Sequence, residues 1–185
     1  MMGGRGAALA FVALVLAATA CGGSGTDGRA TPSTKPAPPE DIRMTAADFP
    51  NINTMTKVDT YFVTNLLGHE AEALAVARSP KGGVFPVGTL LQLVPQEAMV
   101  KRRAGYDQAT HDWEFFSLDT TAQGTTIKMR GADEVVNRFG GNCASCHLGA
   151  EPRWDLVCKH DHGCAPLPIG DDVIASIQAA DPRPR

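Results

Sequence analysis

A five-residue segment near the C-terminal end constrains the fold more than any other part of the sequence. Residues 143–147 read Cys-Ala-Ser-Cys-His and follow two consecutive glycines and Asn142. Asn is a preferred N-cap residue, so this pattern predicts a short helix that begins at Cys143. Residues three and four apart lie on one face of a helix, and Cys143, Cys146 and His147 have that spacing. The domain must therefore present two thiols and one imidazole together.

The N-terminal residues predict export. Arg5 precedes an apolar run over residues 7–17, which is too short to span a bilayer but long enough for a signal peptide. The sequence Ala-Thr-Ala-Cys that ends at Cys21 resembles the bacterial lipobox, in which the cysteine is lipidated. Residues 1–20 are therefore predicted to be a lipoprotein signal peptide, and Cys21 the site of lipidation.

The rest of the chain divides into a tether and one domain. Residues 21–41 begin with the lipidated cysteine and are rich in Gly, Ser and Pro, a composition typical of flexible linkers. The domain is expected to span residues 42–185, and a hydrophobic content of 43% can supply its core. A net charge of −3 without a basic stripe argues against a nucleic-acid partner. We expect a protein of the cell envelope, anchored to a membrane on its periplasmic or extracytoplasmic face.

The Cys-Ala-Ser-Cys-His segment matches the attachment signature of c-type haem. Thioether bonds from Cys143 and Cys146, together with an iron–imidazole bond from His147, require these groups on one face of the chain. Export favours this interpretation because haem is attached to c-type cytochromes outside the cytoplasm. The predicted cofactor is one covalent haem c with His147 as an axial ligand of the iron.

Two alternatives use the same cysteines. Cys158, Cys164 and the histidines between them could complete a tetrahedral zinc site with Cys143 and Cys146, which would make the protein a zinc-binding structural lipoprotein without haem. Structural zinc thiolates are uncommon in oxidising compartments, which favours haem. A redox dithiol would lack the βαβ context of thioredoxin-like motifs. Cys158 and Cys164 are themselves predicted to form a local disulfide.

Hydrophobic periodicity predicts an α+β fold, an antiparallel β-sheet with N-terminal helices and a short C-terminal haem-attachment helix. The predicted elements, in chain order, are helices over residues 56–67 and 71–78 and strands over 84–94, 111–118 and 125–130. The basic triplet at residues 101–103 is interpreted as a solvated surface turn.

Other c-type architectures fit this chain less well. Residues 148–185 contain no methionine, whereas small cytochromes with His/Met ligation place the axial methionine well after the motif. The β-rich character of residues 84–130 does not suit the four-helix bundle of cytochromes c′. A haem motif that follows an antiparallel sheet indicates a different structural class of c-type haem protein.

Three segments resemble the cytochrome P-460 and cytochrome c′-beta family. They are FPVGTLLQLV at residues 85–94, HDWEFFSLD at 111–119 and NCASCHLGAEPRWDLV at 142–157. The resemblance implies a small α+β domain, usually a homodimer, that holds one covalent haem. It implies that Cys143 and Cys146 carry the thioether bonds and that His147 is the proximal ligand, with the other face of the iron open to small ligands.

The resemblance also implies a choice between two activities. Members with a lysine cross-linked to the haem oxidise hydroxylamine, and members without it bind nitric oxide. The strand expected to carry that lysine has Gln92 and Leu93 here, and Lys81 and Lys101 lie on either side of it. We therefore predict binding of nitric oxide or a similar small ligand, with electron transfer to a redox partner protein. The alternative is an oxidoreductase acting on hydroxylamine or a related nitrogen compound.

A ligand-binding haem needs a pocket that keeps water and protein ligands away from the sixth position of the iron. The candidate lining residues are Phe85, Leu91, Phe115 and Phe116, whereas Trp113 is expected in the core. His160 and His162 are expected to be exposed loop residues rather than ligands of a metal ion. The candidate sixth ligands, which would make the protein an electron carrier instead, are His69, His111, Met129 and His162.

Overall fold

The computed structural model describes residues 40–185. The predicted signal peptide, the lipidation site at Cys21 and nearly all of the predicted tether lie outside this part of the chain. Among the described helices, none combines the length and the apolar character that crossing a bilayer requires.

Within residues 40–185 the domain is built on a six-stranded antiparallel sheet in which each strand pairs with its neighbour in sequence. Such a meander needs only hairpins and loops to connect its strands. The strands are β1 (Thr56–Val58), β2 (Tyr61–Asn65), β3 (Thr89–Gln92), β4 (Glu97–Lys101), β5 (Trp113–Thr121) and β6 (Gly124–Arg130). The predicted α+β class and the antiparallel sheet are confirmed.

Three α-helices accompany the sheet in the described residues: α1 (Glu70–Arg78), α2 (Cys143–His147) and α3 (Asp171–Ala179). Single 3₁₀ turns occur at Ala46–Asp48, Ile52–Thr54 and Pro152–Trp154. Helix α1 has Glu70 and Glu72 in its first turn and Arg78 in its last, charges that complement the helix dipole. It lies where the second helix was expected, so of the predicted N-terminal helices only α1 is present.

The prediction of a helix over residues 56–67 is wrong, because this segment forms the β1–β2 hairpin. Asp59 adopts a φ of +57°, which reverses the chain between the paired residues Val58 and Tyr61. Residues 61–63 are all buried, since hydrophobic clusters cover both faces of the sheet. A strand that is buried on both faces loses the alternation that marks a strand in sequence, so its apolar spacing imitates that of a helix.

Strand β4 is absent from the predicted elements, and the solvated turn expected at residues 101–103 is wrong at its first residue. Lys101 ends β4 and is only 5% exposed. Its Nζ lies 2.7 and 2.8 Å from the two carboxylate oxygens of Asp155 and 2.7 Å from the carbonyl oxygen of His111. A buried ammonium is tolerated in this position because it is paired and hydrogen-bonded.

Side chains alternate across the sheet and form two hydrophobic clusters. On β5, Trp113 and Phe115 belong to the cluster on one face, and Phe116 and Leu118 to the cluster on the other. The first cluster includes residues of α1 and of the chain around α2, and the second includes residues of the segment before β1. The first face therefore carries the cysteine and histidine residues of interest.

Candidate functional site

Asn142 sets the start and the position of helix α2. Its Oδ1 accepts a hydrogen bond from the backbone N–H of Ser145 at 2.8 Å, which is N-cap geometry. Its Nδ2 donates to the carbonyl oxygen of Ala132 at 2.9 Å, and the N–H of Cys143 donates to that of Val135 at 3.0 Å. The helix expected from the sequence is present, and it is tied to the chain that leads from β6.

A cavity of about 390 Å³ lies beside α2 and is bordered by Cys143, Cys146 and His147. Apolar residues of the sheet and of the C-terminal segment form much of its wall: Leu91, Met99, Phe115, Leu167 and Ile174. The volume falls within the roughly 300–1,000 Å³ of pockets that hold small molecules and cofactors. The three predicted attachment residues therefore border one cavity whose volume is typical of a small-molecule or cofactor pocket.

His147 has one ring nitrogen committed and one available. Its Nδ1 lies 2.6 Å from the carbonyl oxygen of Leu156. Because a carbonyl only accepts, Nδ1 must carry the proton, and Nε2 of the neutral ring then presents a lone pair. Burial holds the pKa of His147 below its ordinary value of 6.5, although the hydrogen bond to Leu156 opposes the shift. This is the form in which an imidazole binds a metal ion.

Three of the predicted pocket residues border the cavity: Leu91, Phe115 and Phe116. The ring centroid of Phe115 lies 5.2 Å from that of His147, so an aromatic face sits beside the imidazole. The ring of Phe116, in contrast, packs edge-on against Phe49 at 5.0 Å within the cluster on the opposite face of the sheet. Of the predicted aromatic pocket residues that border the cavity, Phe115 is therefore the one whose ring packs on the cavity face of the sheet.

Phe85 does not border this cavity, which corrects its assignment as a pocket residue. Its ring packs edge-on against Trp113 with centroids 5.6 Å apart. Its backbone N–H donates to the Asp155 carboxylate at 2.9 Å. This hydrogen bond and the contact with Trp113 hold Phe85 in the core, where Trp113 was expected.

None of the predicted sixth ligands borders the cavity. His162 is buried and stacks parallel to Trp154 with ring centroids 3.8 Å apart, and its Nδ1 lies 2.5 Å from the carbonyl oxygen of Val157. The expectation that His162 is exposed is therefore wrong, because its ring packs against Trp154. The other three candidates lie elsewhere in the domain, two on the surface and one against the first-face cluster: His69, His111 and Met129.

Several residues that border the cavity were missed by the sequence analysis: Tyr61, Glu97, Met99, Lys159 and His160. Strand β4 supplies Glu97 and Met99, and alternation within it was the signal available, since Ala98 and Val100 belong to the opposite cluster. Burial raises the pKa of Tyr61 to about 12, so its hydroxyl stays protonated.

Charged groups at the cavity come from β4, from the C-terminal loop and from Asp171 at the start of α3. Burial raises the pKa of the Glu97 carboxyl, although a hydrogen bond from the backbone N–H of Arg138 opposes the shift. Neither Lys81 nor Lys101 borders the cavity, whereas Lys159 does. Of these three lysines, Lys159 is therefore the one placed to meet a group bound in the cavity.

The cysteines of the domain fall into two pairs. Cys158 and Cys164 form a disulfide with Cα atoms 5.6 Å apart, while Cys143 and Cys146 are free thiols. Burial raises the pKa of Cys143 to about 12, and the nearby Glu97 and Cys146 add to the shift. Across residues 40–185, no three His, Cys, Asp or Glu side chains come together as a metal-ion site. The zinc alternative has no assembled ligand set there.

The residues at the cavity fit a c-type haem. Two thiols and an imidazole with an available Nε2 are the donor set for two thioether bonds and one iron bond, and all three open onto one cavity. The apolar side chains of Leu91 and Met99 suit a flat macrocycle. Lys159 brings a cation to the edge of the cavity, where its Nζ lies 3.4 Å from the carboxylate of Asp59.

No protein-family model, no curated protein and no solved structure matches this chain. The resemblance to the cytochrome P-460 and cytochrome c′-beta family rests on the three quoted segments and stays a prediction. The function is therefore inferred from the arrangement of residues at the cavity.

Proposed function

We propose that this protein is an exported, lipid-anchored mono-haem c-type cytochrome that binds nitric oxide or a similar small ligand at a His147-ligated iron. The observation that supports the proposal is that Cys143, Cys146 and His147 border the same cavity of about 390 Å³. All three side chains belong to the five-residue helix α2, so one group bound in the cavity can reach each of them.

The side chains have distinct roles in this proposal. When bound, the haem would supply an iron centre at which a diatomic ligand coordinates. Cys143 and Cys146 would hold it through thioether bonds. His147 would bind the iron through Nε2, while the Leu156 carbonyl keeps Nδ1–H in place and fixes the plane of the ring. Phe115 would keep the surroundings of the imidazole apolar.

The proposal includes electron transfer with a redox partner protein. Whether the protein binds small ligands or only carries electrons depends on whether a side chain would occupy the sixth coordination position of the iron. None of the ligands predicted from sequence borders the cavity, but Met99 and His160 do. In a ligand-binding protein, Met99→Leu and His160→Ala should leave the spectrum five-coordinate and responsive to nitric oxide. In an electron carrier, one of them should convert a six-coordinate, unresponsive spectrum into a responsive one.

Oxidation of hydroxylamine is the second candidate function. Lys159 supports it, because this lysine borders the cavity in which a lysine–haem cross-link would form. A lysine–haem cross-link would appear as a red-shifted absorption band and as a mass change of the haem peptide. Lys159→Arg should remove both signatures if Lys159 forms the cross-link. A wild-type spectrum without the red-shifted band would leave nitric oxide binding as the proposed function.

The test of the central proposal is a visible absorption spectrum of protein produced with a cytochrome c maturation system. The spectrum should be recorded oxidised, reduced, and reduced with nitric oxide, together with a haem stain after denaturing electrophoresis. We expect a covalent haem band that shifts with nitric oxide. A colourless protein that stains negative under these conditions contradicts the proposal.

The location of the protein in the cell envelope is tested separately. Lipidation at Cys21 should place the mature protein in the membrane fraction, on the periplasmic or extracytoplasmic face. Cys21→Ala should release it to the soluble exported fraction without changing its haem spectrum. Sedimentation of the soluble domain would show whether it forms the homodimer that the family resemblance implies.

A further inference from the structure

We infer that the buried ion pair between Lys101 and Asp155 positions His147, by holding in place the backbone carbonyl that binds the imidazole. The inference rests on the proposed function for what His147 binds. How His147 is held follows from the contacts of residues 154–157 alone.

The carbonyl that contacts His147 belongs to an unusual stretch of backbone. Asp155 and Leu156 are consecutive residues in the left-handed region, with φ of +49° and +62°. Asp visits this region more readily than most residues, but Leu does so rarely. Such a conformation persists only where the surroundings determine it. The turn directs the Leu156 carbonyl oxygen to within 2.6 Å of Nδ1 of His147.

Asp155 is the residue through which the surroundings determine this turn. Lys101 Nζ donates to its two carboxylate oxygens at 2.8 and 2.7 Å, and the N–H of Phe85 donates to one of them at 2.9 Å. Trp113 Nε1 donates to its backbone carbonyl at 2.7 Å. The residue is 3% exposed. Strands β4 and β5 and the segment before β3 thus all hold the residue next to Leu156.

Lys101 is itself held at a defined point of the sheet. It is the last residue of β4, its Nζ also donates to the His111 carbonyl at 2.7 Å, and it lies 5.1 Å from the centroid of the Trp113 ring. With so little exposure, its ammonium has few alternatives to Asp155 as a partner. Strand β4 therefore fixes Lys101, and Lys101 fixes Asp155. Asp155 in turn fixes the neighbouring Leu156 carbonyl, which holds the ring of His147.

The next residue along the chain provides a matched control. Arg102 donates to the carboxylate of Glu114, which is 2% exposed, and to Asp41 at 3.0 Å. It makes no hydrogen bond or ion pair with residues 154–157 among the described contacts. Lys101→Met and Arg102→Met therefore each remove a basic side chain from a buried carboxylate in adjacent positions. Only the first acts on the carbonyl that holds His147.

The experiment compares the wild-type protein with these two variants, each as the full chain produced with the maturation system. The exchange rate of the Nδ1 proton of His147 is measured by NMR with ¹⁵N-labelled histidine. The iron–imidazole stretching frequency of the reduced protein is measured by resonance Raman spectroscopy. For Lys101→Met we expect Nδ1 proton exchange about tenfold faster and a lower stretching frequency, because the hydrogen bond to Leu156 is weaker. For Arg102→Met we expect both to match wild type.

Two results overturn the inference: no change in Lys101→Met, or equal changes in both variants, which would indicate general loosening of the domain. If Lys101→Met does not fold, Asp155→Asn replaces it. Asn tolerates the left-handed backbone and can still accept from Phe85, but it lacks the charge that holds Lys101. We expect faster exchange there as well, and an unchanged rate overturns the inference. If the purified chain carries no haem, the proposed function fails, and the exchange rates still decide whether Lys101 positions His147.

Discussion

His147 and His162 are held in almost the same way and differ in what the rest of each ring meets. Each places Nδ1 against a backbone carbonyl, at 2.6 Å from Leu156 for His147 and at 2.5 Å from Val157 for His162. His162 then stacks on Trp154 with ring planes 2° apart, whereas His147 borders the cavity. Because the same hydrogen bond serves both rings, it does not mark a functional histidine. The cavity beside the ring of His147 is what supports its proposed role as an iron ligand.

The two cysteine pairs differ in the same respect. Cys158 and Cys164 are bonded to each other in a disulfide. Cys143 and Cys146 are free thiols on the helix that carries His147. All four border the cavity, so proximity to it does not separate them. What separates them is remaining bonding capacity. The thiols of α2 are free to bind the proposed cofactor, whereas those of the disulfide loop are already bonded to each other.

Substitution of the cysteines should have the strongest consequences and should separate the two pairs. The double variant of Cys143→Ser and Cys146→Ser should lose all covalent haem in the denaturing stain, because no thioether can form. The double variant of Cys158→Ser and Cys164→Ser should keep it and lose about 2 kcal/mol of unfolding free energy, the typical effect of opening a short disulfide loop. Loss of covalent haem in the second variant alone would reverse the assignment of the two pairs.

Two buried phenylalanines test whether the cavity face is distinct from the opposite face. Phe115 is 2% exposed and borders the cavity, and Phe62 is 5% exposed in the cluster on the other side of the sheet. Each Phe→Ala change should cost about 3–5 kcal/mol in denaturant unfolding, because each leaves a void in a packed cluster. Only Phe115→Ala should also alter the haem spectrum and nitric oxide binding. Equal spectral changes in both variants would mean that the cavity does not define the site.

Substitutions of His147 and His162 should separate the roles of the two rings. His162→Ala removes a ring stacked on Trp154 and should lower the unfolding free energy by about 2 kcal/mol without changing the absorption spectrum. His147→Ala should cost about 1 kcal/mol, the net value of its hydrogen bond, but should abolish the wild-type haem spectrum. A spectrum that responds to His162→Ala and not to His147→Ala would exchange their roles.

The smallest expected effect concerns Glu97 at the cavity and depends on pH. Burial raises the pKa of this carboxyl above its ordinary value of 4.5, so the folded state holds its proton more tightly than the unfolded state. Its contribution to stability is therefore greatest below pH 4.5 and declines as the pH rises through the folded-state pKa. Glu97→Gln should raise the unfolding free energy of haem-free protein at pH 7 and change it little at pH 4.

Glu114 is the control for Glu97, since it is a buried carboxylate with partners. Its oxygens accept from Arg102 and from Arg130, the latter at 2.7 Å. Glu114→Gln should lower the unfolding free energy at pH 7, opposite in sign to Glu97→Gln. Denaturant titrations of both variants at the two pH values check this. A loss of stability in Glu97→Gln at pH 7 would show that its carboxylate is stabilised rather than penalised at the cavity.

The elements that could be predicted from sequence are those marked by β-rich composition, by helical periodicity or by a local cap. Strands β5 and β6 and helices α1 and α2 lie where periodicity and the Asn142 cap placed them. The β1–β2 hairpin was mistaken for a helix because clusters on both faces of the sheet bury its residues together. Strand β4 was missed because it ends in Lys101, a residue whose burial depends on a carboxylate far away in the chain.

By itself, the sequence determined the spacing of Cys143, Cys146 and His147, because a helical turn is local and its geometry follows from residues three and four apart. It also determined that Asn142 begins that turn, since a cap needs only neighbouring N–H groups. Contacts made on folding determine that His147 borders the cavity and that His162 is packed against Trp154. These positions depend on contacts between residues that are distant in sequence. Such contacts produce no local sequence pattern from which they could be predicted.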